Sequence, residues 1–317
     1  MRRALTFALL CFAALAARAE EFSILGGITR WDEPRRNTYG WQISYTHELG
    51  DYFAGSLTYR NEGHVPGHHR DGQAAQLWAR ASLLSPNLTL ALGAGPYFYF
   101  DTTVAEGGAG YADAHGYGRL YSATATWGRP SSAWYYQLRA DRVATKRNLD
   151  TTTLLVGVGR RLDQDGSFAS NSDWEDRRDT RNELVVSTGK TIVNSLESQV
   201  ASARGVEFRH AFTPVLRGSL GWINEGDARL IRRNGVVVQG WLEPSLHDDR
   251  YTLGFGVGGY FAIDEYQSKK RINSGIVTMT AGYHFSRHWL ARFSWHRITS
   301  TYDRDSDILL AGLGYRF

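Results

Sequence analysis

The feature that most constrains the fold of this chain is an internal repeat. Residues 40–103 lie on residues 203–266 without a gap, and 20 of the 64 aligned positions are identical. Residues 134–162 lie on 289–317 in the same way, with eight of 29 positions identical. A repeat of this length means that one structural unit occurs twice, so any fold proposed for one half must serve the other.

Within each copy, apolar and polar residues alternate at every second position, which is the period of a β-strand. Phe53, Leu57 and Tyr59 form one face of a strand, and polar residues such as Thr58 and Arg60 form the other. Tight turns (GD, LSPN) alternate with longer connections (WDEPRRN), the pattern of an up-and-down barrel. We predict strands near 22–31, 39–49, 52–62, 73–83, 88–101, 117–127, 133–144, 150–161, 182–192, 203–212, 215–225, 236–246, 251–264, 273–285, 288–300 and 307–317.

The N-terminus predicts export. Arg2 and Arg3 precede an apolar run from residue 4 to 17, and Ala17-Arg18-Ala19 is typical of a signal-peptide cleavage site, so residues 1–19 are predicted to be removed. Cys11 is the only cysteine and lies in that segment, so we expect no disulfide or thiolate chemistry. Three arginines leave with the segment, which lowers the net charge from +4 to about +1 and argues against a nucleic-acid partner.

The final strand carries a resemblance. Residues 308–317 read ILLAGLGYRF, in which Leu313, Tyr315 and Phe317 fall on one face. This ending resembles the terminal strand of Gram-negative outer-membrane β-barrel proteins, although no specific family is identified. The resemblance implies an all-β, transmembrane antiparallel barrel in the cell outer membrane, with both termini in the periplasm. It also implies lipid and lipopolysaccharide as surroundings, and insertion by the barrel assembly machinery. Beyond residue 19, no apolar stretch is long enough for a transmembrane helix.

Two ways of closing the sheet remain open. The favoured prediction is one barrel of 16 strands, formed by an 8-strand repeat in 20–162 and a second in 182–317, with 163–181 as a polar periplasmic connection. It is favoured because the first copy ends in Arg160-Arg161-Leu162, without the aromatic residues that end the second. The alternative is two 8-stranded barrels, each filled by its own side chains.

The alternation assigns a set of residues to the inside of the barrel. As a porin-like channel or binding conduit, the lumen would bind a polar solute such as a saccharide through aromatic rings, amides and carboxylates. As a structural feature, the same charges would pair with one another and hold the strand register. Identical inward residues in both copies favour the structural interpretation. The inward candidates are Arg60, Glu62, Gln76, Trp78, Tyr97, Asp101, Glu225, Gln239, Trp241, Tyr260 and Asp264.

A histidine-rich stretch, NEGHVPGHHRDG at residues 61–72, is predicted to be a loop at the extracellular rim. Its second copy, NEGDARLIRRNG at 224–235, keeps the Asn, Glu, Gly, Arg and final Gly but no histidine. The loop therefore does not need its histidines, and we predict an ordinary polar loop; a metal ion or a pH-sensitive rim are the alternatives. The rim candidates are His64, His68, His69, Arg70 and Asp71. Rim arginines predicted to meet lipopolysaccharide phosphates are Arg35, Arg36, Arg70, Arg232 and Arg233.

An enzyme that modifies lipid or lipopolysaccharide is an alternative function, and a structural or assembly barrel is another. Hydrolysis needs a nucleophile within hydrogen-bond reach of a base. No G-x-S-x-G motif occurs, and Ser56 lies roughly 20 Å along its strand from Glu62. The sequence therefore predicts no catalytic residue, cofactor or metal, and it leaves the oligomeric state open.

Overall fold

The computed structural model describes residues 20–104, 110–146, 149–162, 178–195, 198–246 and 249–317. The predicted signal peptide and most of the predicted 163–181 connection lie outside these residues. The chain forms two compact units, and each is built on a closed antiparallel sheet.

The first barrel contains eight strands in chain order. Strands β1 to β8 are Glu20–Trp31, Arg36–Glu48, Phe53–Val65, His68–Ser85, Leu88–Val104, Tyr111–Trp127, Trp134–Thr145 and Thr151–Arg161. Strand β1 pairs with β2 on one side and with β8 on the other, from Glu21 opposite Arg161 to Trp31 opposite Thr151, and this second pairing closes the sheet.

The second barrel has eight long strands and one of two residues. Strands β9 to β17 are Asn182–Val193, Val200–Ala211, Leu216–Asp227, Arg232–Leu242, Ser245–Leu246, Tyr251–Asp264, Lys270–His284, Trp289–Thr299 and Ser306–Arg316. The first strand, β9, pairs with the last, β17, and the pairing of β12 with β14 completes the ring, while the short β13 adds to the end of β14.

The favoured prediction of one 16-stranded barrel is therefore wrong, and the alternative of two 8-stranded barrels is confirmed. The reason is the pairing of the end strands: β8 returns to β1 of its own copy, and β17 returns to β9. Each sheet thus pairs all of its strand edges without help from the other copy, as a sheet in lipid must.

The outer faces are apolar and the inner faces are largely polar. Along β8, Leu154 and Val156 are 57% and 63% exposed, whereas Thr153 and Leu155, which alternate with them, are buried inside. The second barrel repeats the pattern, with Val186 and Leu313 on its exposed face. An apolar exterior around a polar interior is the arrangement of a barrel surrounded by lipid. Among the described residues, helix is limited to one 3-10 turn at Arg178–Thr180, so no helix could span a membrane.

The repeated Asn-Glu-Gly motif forms the same β-bulge in both barrels. The register of β3 and β4 shifts between Asn61 and His64, and Gly63 has a φ of +74°. The Asn61 side chain accepts a hydrogen bond from the Gly63 amide at 2.9 Å, and Asn224 does the same for Gly226. A Cβ on Gly63 would lie 2.3 Å from a backbone carbonyl oxygen, so only glycine fits. The bulge therefore explains why these residues recur.

Candidate functional site

The interior of the first barrel is crossed by a charged network beside the bulge. Glu62, fully buried, accepts hydrogen bonds from the Arg70 guanidinium and, at 2.7 Å, from the Thr151 hydroxyl. The Arg60 guanidinium lies 3.3 Å from the same carboxylate. Arg70 also lies over the Trp31 ring, 4.4 Å from its centroid. Burying these charges without loss of stability requires this degree of pairing.

A second layer continues toward the short turns. Arg60 reaches Asp141 at 3.3 Å, and Arg139 donates to the other oxygen of Asp141 at 2.8 Å. Arg139 also donates to the side-chain amide oxygen of Gln76 at 2.7 Å, and its guanidinium lies over the Trp78 ring, 5.0 Å from the ring centroid. The interior of the first barrel is therefore bridged from β3 to β7 by side chains that bind one another.

The second barrel contains the equivalent bulge-side network. Arg233 donates to Glu225 at 2.6 Å and to the Ser306 hydroxyl at 2.7 Å, and Ser306 also donates to Glu225. Glu225, Arg233 and Ser306 stand at the repeat positions of Glu62, Arg70 and Thr151. Trp241 donates to Ser219 at 2.8 Å, as Trp78 does to Ser56. Each barrel thus contains the same set of internal hydrogen bonds at equivalent repeat positions.

The two barrels differ at the short-turn end, where the charges are inverted. Glu243 of the second barrel is buried among Arg209, Arg217 and Arg292, with nitrogen–oxygen distances of 3.0 Å to Arg217 and 3.2 Å to Arg292. The repeat position in the first barrel is Arg80, which pairs with Glu48 and lies 3.7 Å from Glu21. The second barrel therefore has an anion, Glu243, surrounded by arginines, whereas the first has a cation, Arg80, between two glutamates.

The same end of the first barrel contains a cavity. It has a volume of about 260 Å³ and is lined by Ser, Thr, Gln, Glu and Arg side chains between the tight turns and Trp78. In the second barrel, a cavity next to Gln239 and Arg292 has a volume of about 20 Å³. Glu243 and its three arginines, all buried, fill the corresponding space there.

The structure places all eleven predicted lumen residues inside the barrels, but none faces an open passage. Their exposed fractions do not exceed 6%. Tyr97 lies against Gly72 and Tyr260 against Gly235, so closely that a Cβ on either glycine would meet the ring at about 2.5 Å or less. Asp264 accepts a hydrogen bond from Tyr302 at 2.9 Å. Asp101 is buried at the long-connection end of β5.

The structure corrects the prediction that residues 61–72 form a loop. Residues 61–72 belong to two strands, because β3 runs to Val65 and β4 begins at His68. The extended alternation turns Arg70 inward, and Asp71 is buried on the opposite face, where Tyr59 donates to it at 3.0 Å. Arg233 is buried in the same way, so Arg70 and Arg233 are not rim arginines. Exposed rim arginines are Arg35, Arg36 and Arg232, the last paired with Asp227.

The histidines do not converge on one point. His64 and His69 stack with ring centroids 3.6 Å apart, and the Tyr39 hydroxyl contacts His64 at 2.9 Å. His68 lies instead beside Trp31, at 5.5 Å. Within the described part of the chain, no group of three or more His, Cys, Asp or Glu side chains could hold a metal ion.

The sequence already argued against a Ser56–Glu62 dyad for a hydrolase, and in the structure both residues have other partners. Ser56 accepts the indole N–H of Trp78, and the Glu62 carboxylate is occupied by two arginines and Thr151. Neither residue is placed to activate the other.

Sequence reasoning missed several interior residues. Glu243 follows Gln239 and Trp241 at period two, a signal that could have found it. Thr151 and Ser306 align in the repeat, but a hydroxyl alone carries little signal. Trp31, whose indole donates to the Glu62 carbonyl at 3.0 Å, has no counterpart in the repeat that would mark it.

Two closed antiparallel barrels, apolar outside and polar inside, define the class: this is a β-barrel protein of the outer-membrane type. No protein-family model and no curated protein matches the sequence. Solved structures with a similar fold include the N-terminal barrel domain of Pseudomonas aeruginosa OprF, at 12% identity and a TM-score of 0.36, covering 45% of this chain and 99% of that one.

Two further solved structures are similar to parts or all of the chain. Ail, the attachment invasion locus protein of Yersinia pestis, is 10% identical with a TM-score of 0.33, covering 45% of this chain and 96% of that one. The translocator domain of the autotransporter NalP from Neisseria meningitidis is 10% identical with a TM-score of 0.21, covering 100% and 95%. These likenesses concern the fold alone.

Proposed function

We propose that this protein acts in the outer membrane as a pair of closed barrels that do not conduct, a structural or assembly protein rather than a porin. The observation that supports the proposal is the bridging of each interior by buried ion pairs. In the first barrel Arg60 joins Glu62 to Asp141, and in the second Glu243 joins three arginines. Opening a path would separate several buried charges at once, which costs about 3–5 kcal/mol for each broken pair.

A conduit for polar solutes, the function predicted from the lumen residues, is the second candidate. The cavity of the first barrel favours it, because it gives a polar solute an entrance at one end. Passage would require the Arg60 and Arg70 networks to part. The same measurement distinguishes the two candidates.

The test is planar-bilayer conductance of the refolded protein. We expect no discrete conductance steps from the wild type. An Arg60→Ser, Arg139→Ser variant shortens two side chains of the bridging network and should raise conductance. Arg142→Ser is the matched control, because Arg142 lies on the same strand as Arg139 but on its outer face. Regular conductance steps from the wild type, equal in the Arg142→Ser control, would establish the conduit instead.

We further propose that the short turns and both termini lie in the periplasm, and that the exposed Arg35 and Arg36 meet lipopolysaccharide phosphates at the opposite rim. Single cysteines test the orientation. Glu33→Cys, in a long connection, should react with an impermeant maleimide in intact cells, whereas Asp51→Cys, in a short turn, should react only after the outer membrane is permeabilised. The reverse pattern would overturn the orientation.

A further inference from the structure

We infer that the first barrel binds a small, uncharged, hydroxyl-rich solute, such as a polyol or a monosaccharide, in the cavity at its short-turn end. This site, called here the short-turn cavity, goes beyond the proposed function, since a barrel that does not conduct can still hold a ligand. At about 260 Å³, its volume lies just below the roughly 300–1,000 Å³ of small-molecule sites.

The cavity exists because of specific differences between the two copies. Thr46, Ala54 and Gln137 lie on the cavity wall of the first barrel. The same repeat positions in the second barrel are Arg209, Arg217 and Arg292, whose side chains surround Glu243 and fill the interior there. A fourth position is Ala91 in the first barrel and Gly254 in the second. A Cβ on Gly254 would lie 2.8 Å from a carboxylate oxygen of Glu243, so the second barrel has no room even for a methyl group there. The same backbone is filled in one copy and left open in the other.

Seven of the 18 residues that line the cavity carry a hydroxyl group, and the three arginines on the wall have partners. Arg80 is paired with Glu48, and Arg139 with Asp141. Arg161 donates to the carbonyl oxygens of Arg129 and Ser132, at 3.1 and 2.9 Å. A charged solute would have to displace these partners, whereas a neutral one can exchange hydrogen bonds with hydroxyls that act as both donor and acceptor. The hydroxyl-bearing wall residues include Ser23, Thr46, Ser82, Thr89, Thr124 and Thr126.

The inner end of the cavity is closed, which favours binding over passage. Trp78 and Arg139 lie deepest among the lining residues on their strands. The Trp78 indole is held by Ser56, and Arg139 lies over its ring. A solute entering from the short turns therefore meets a fixed floor and remains in contact with the wall hydroxyls.

Binding to the refolded full-length protein is measured by calorimetric titration, with D-glucose and ribitol as neutral probes, and with lysine and citrate as charged ones. We expect at least one neutral probe to bind and both charged probes to bind more weakly. Ala91→Phe should fill the cavity and abolish binding. Ala94→Phe is the matched control, because Ala94 lies three residues along the same strand with its side chain exposed on the outer face, and it should leave binding unchanged.

Two isosteric variants keep the test decisive if Ala91→Phe does not fold. Thr46→Val and Thr124→Val each remove one wall hydroxyl at nearly constant volume and should weaken binding about three- to ten-fold. Absence of binding by both neutral probes, tighter binding of a charged probe, or unchanged affinity in both Thr→Val variants would each overturn the inference. Conductance plays no part in these outcomes, so they are independent of the proposed closed state.

Discussion

Glu62 of the first barrel and Glu225 of the second occupy the same position in the repeat, and each is held by an arginine eight residues further along the chain. Both carboxylates are fully buried and both also accept a hydrogen bond from a hydroxyl on the last strand of the barrel. The pair therefore ties the bulge between the third and fourth strands to the closing strand, which makes it a structural element of each barrel.

Glu62→Gln should destabilise the first barrel by about 3–5 kcal/mol, because the neutral amide leaves two buried arginines, Arg60 and Arg70, without their shared anion. Glu225→Gln should have a smaller effect, since it deprives only Arg233. Unfolding in denaturant, followed by circular dichroism, gives the comparison. An equal or larger effect of Glu225→Gln would contradict this explanation.

A fragment of residues 20–162 should fold into a barrel on its own, because β1 pairs with β8 within it and leaves no open edge. Refolding in detergent is checked by β-sheet circular dichroism and by resistance to protease. A fragment of residues 20–145, which lacks β8, is the control and should fail. If the longer fragment folded only in the presence of residues 182–317, separate closure would be refuted.

Val156→Arg should destabilise the protein in lipid vesicles by about 2–4 kcal/mol, since Val156 is exposed near the middle of β8, on the face assigned to lipid. Tyr52→Arg, in a short turn, should cost at most about 1 kcal/mol. Equilibrium unfolding from vesicles measures both. Similar costs at the two positions would show that the exterior does not face a bilayer.

Asp249 should make the stability of the second barrel dependent on pH. Burial by itself would raise the pKa of Asp249, but the hydrogen bond with His284 and the charge of Arg316, 2.5 Å away, hold that pKa well below its ordinary value. A depressed pKa means that the stabilisation is complete above the unfolded value of about 3.9 and is lost as the pH falls toward the folded value.

Asp249→Asn should therefore lower the free energy of unfolding by about 2 kcal/mol at neutral pH, with a difference that shrinks below about pH 4. Unfolding curves across this range provide the measurement. Asp227→Asn, at an exposed pair with Arg232, is the control and should have little effect. If Asp249→Asn lowered the free energy of unfolding by the same amount at every pH, titration of Asp249 would not be the cause of the pH dependence.

Much of this fold follows from local pattern. The alternation of residues predicted strands close to those observed; the predicted strand 251–264 has the bounds of β14, and 150–161 differs from β8 by one residue. It also placed Glu62, Gln76 and Trp78 on inner faces, because a strand has only two faces and a run of exposed leucines and valines identifies the other. The prediction failed for Arg70 and Arg233, because the strands continue up to the turn and carry both side chains inward.

What the sequence alone determined about this protein is therefore the strands, their faces and the repeat of the Asn-Glu-Gly motif, whereas the β-bulge that this motif forms was visible only in the structure. Closure was decided by tertiary structure. An eight-stranded and a sixteen-stranded barrel need the same alternation and the same turns, and they differ only in whether β8 pairs with β1 or with β9. That choice lies in contacts between strands far apart in the chain. The cavity of the first barrel depends on such contacts too, because its wall residues come from several strands.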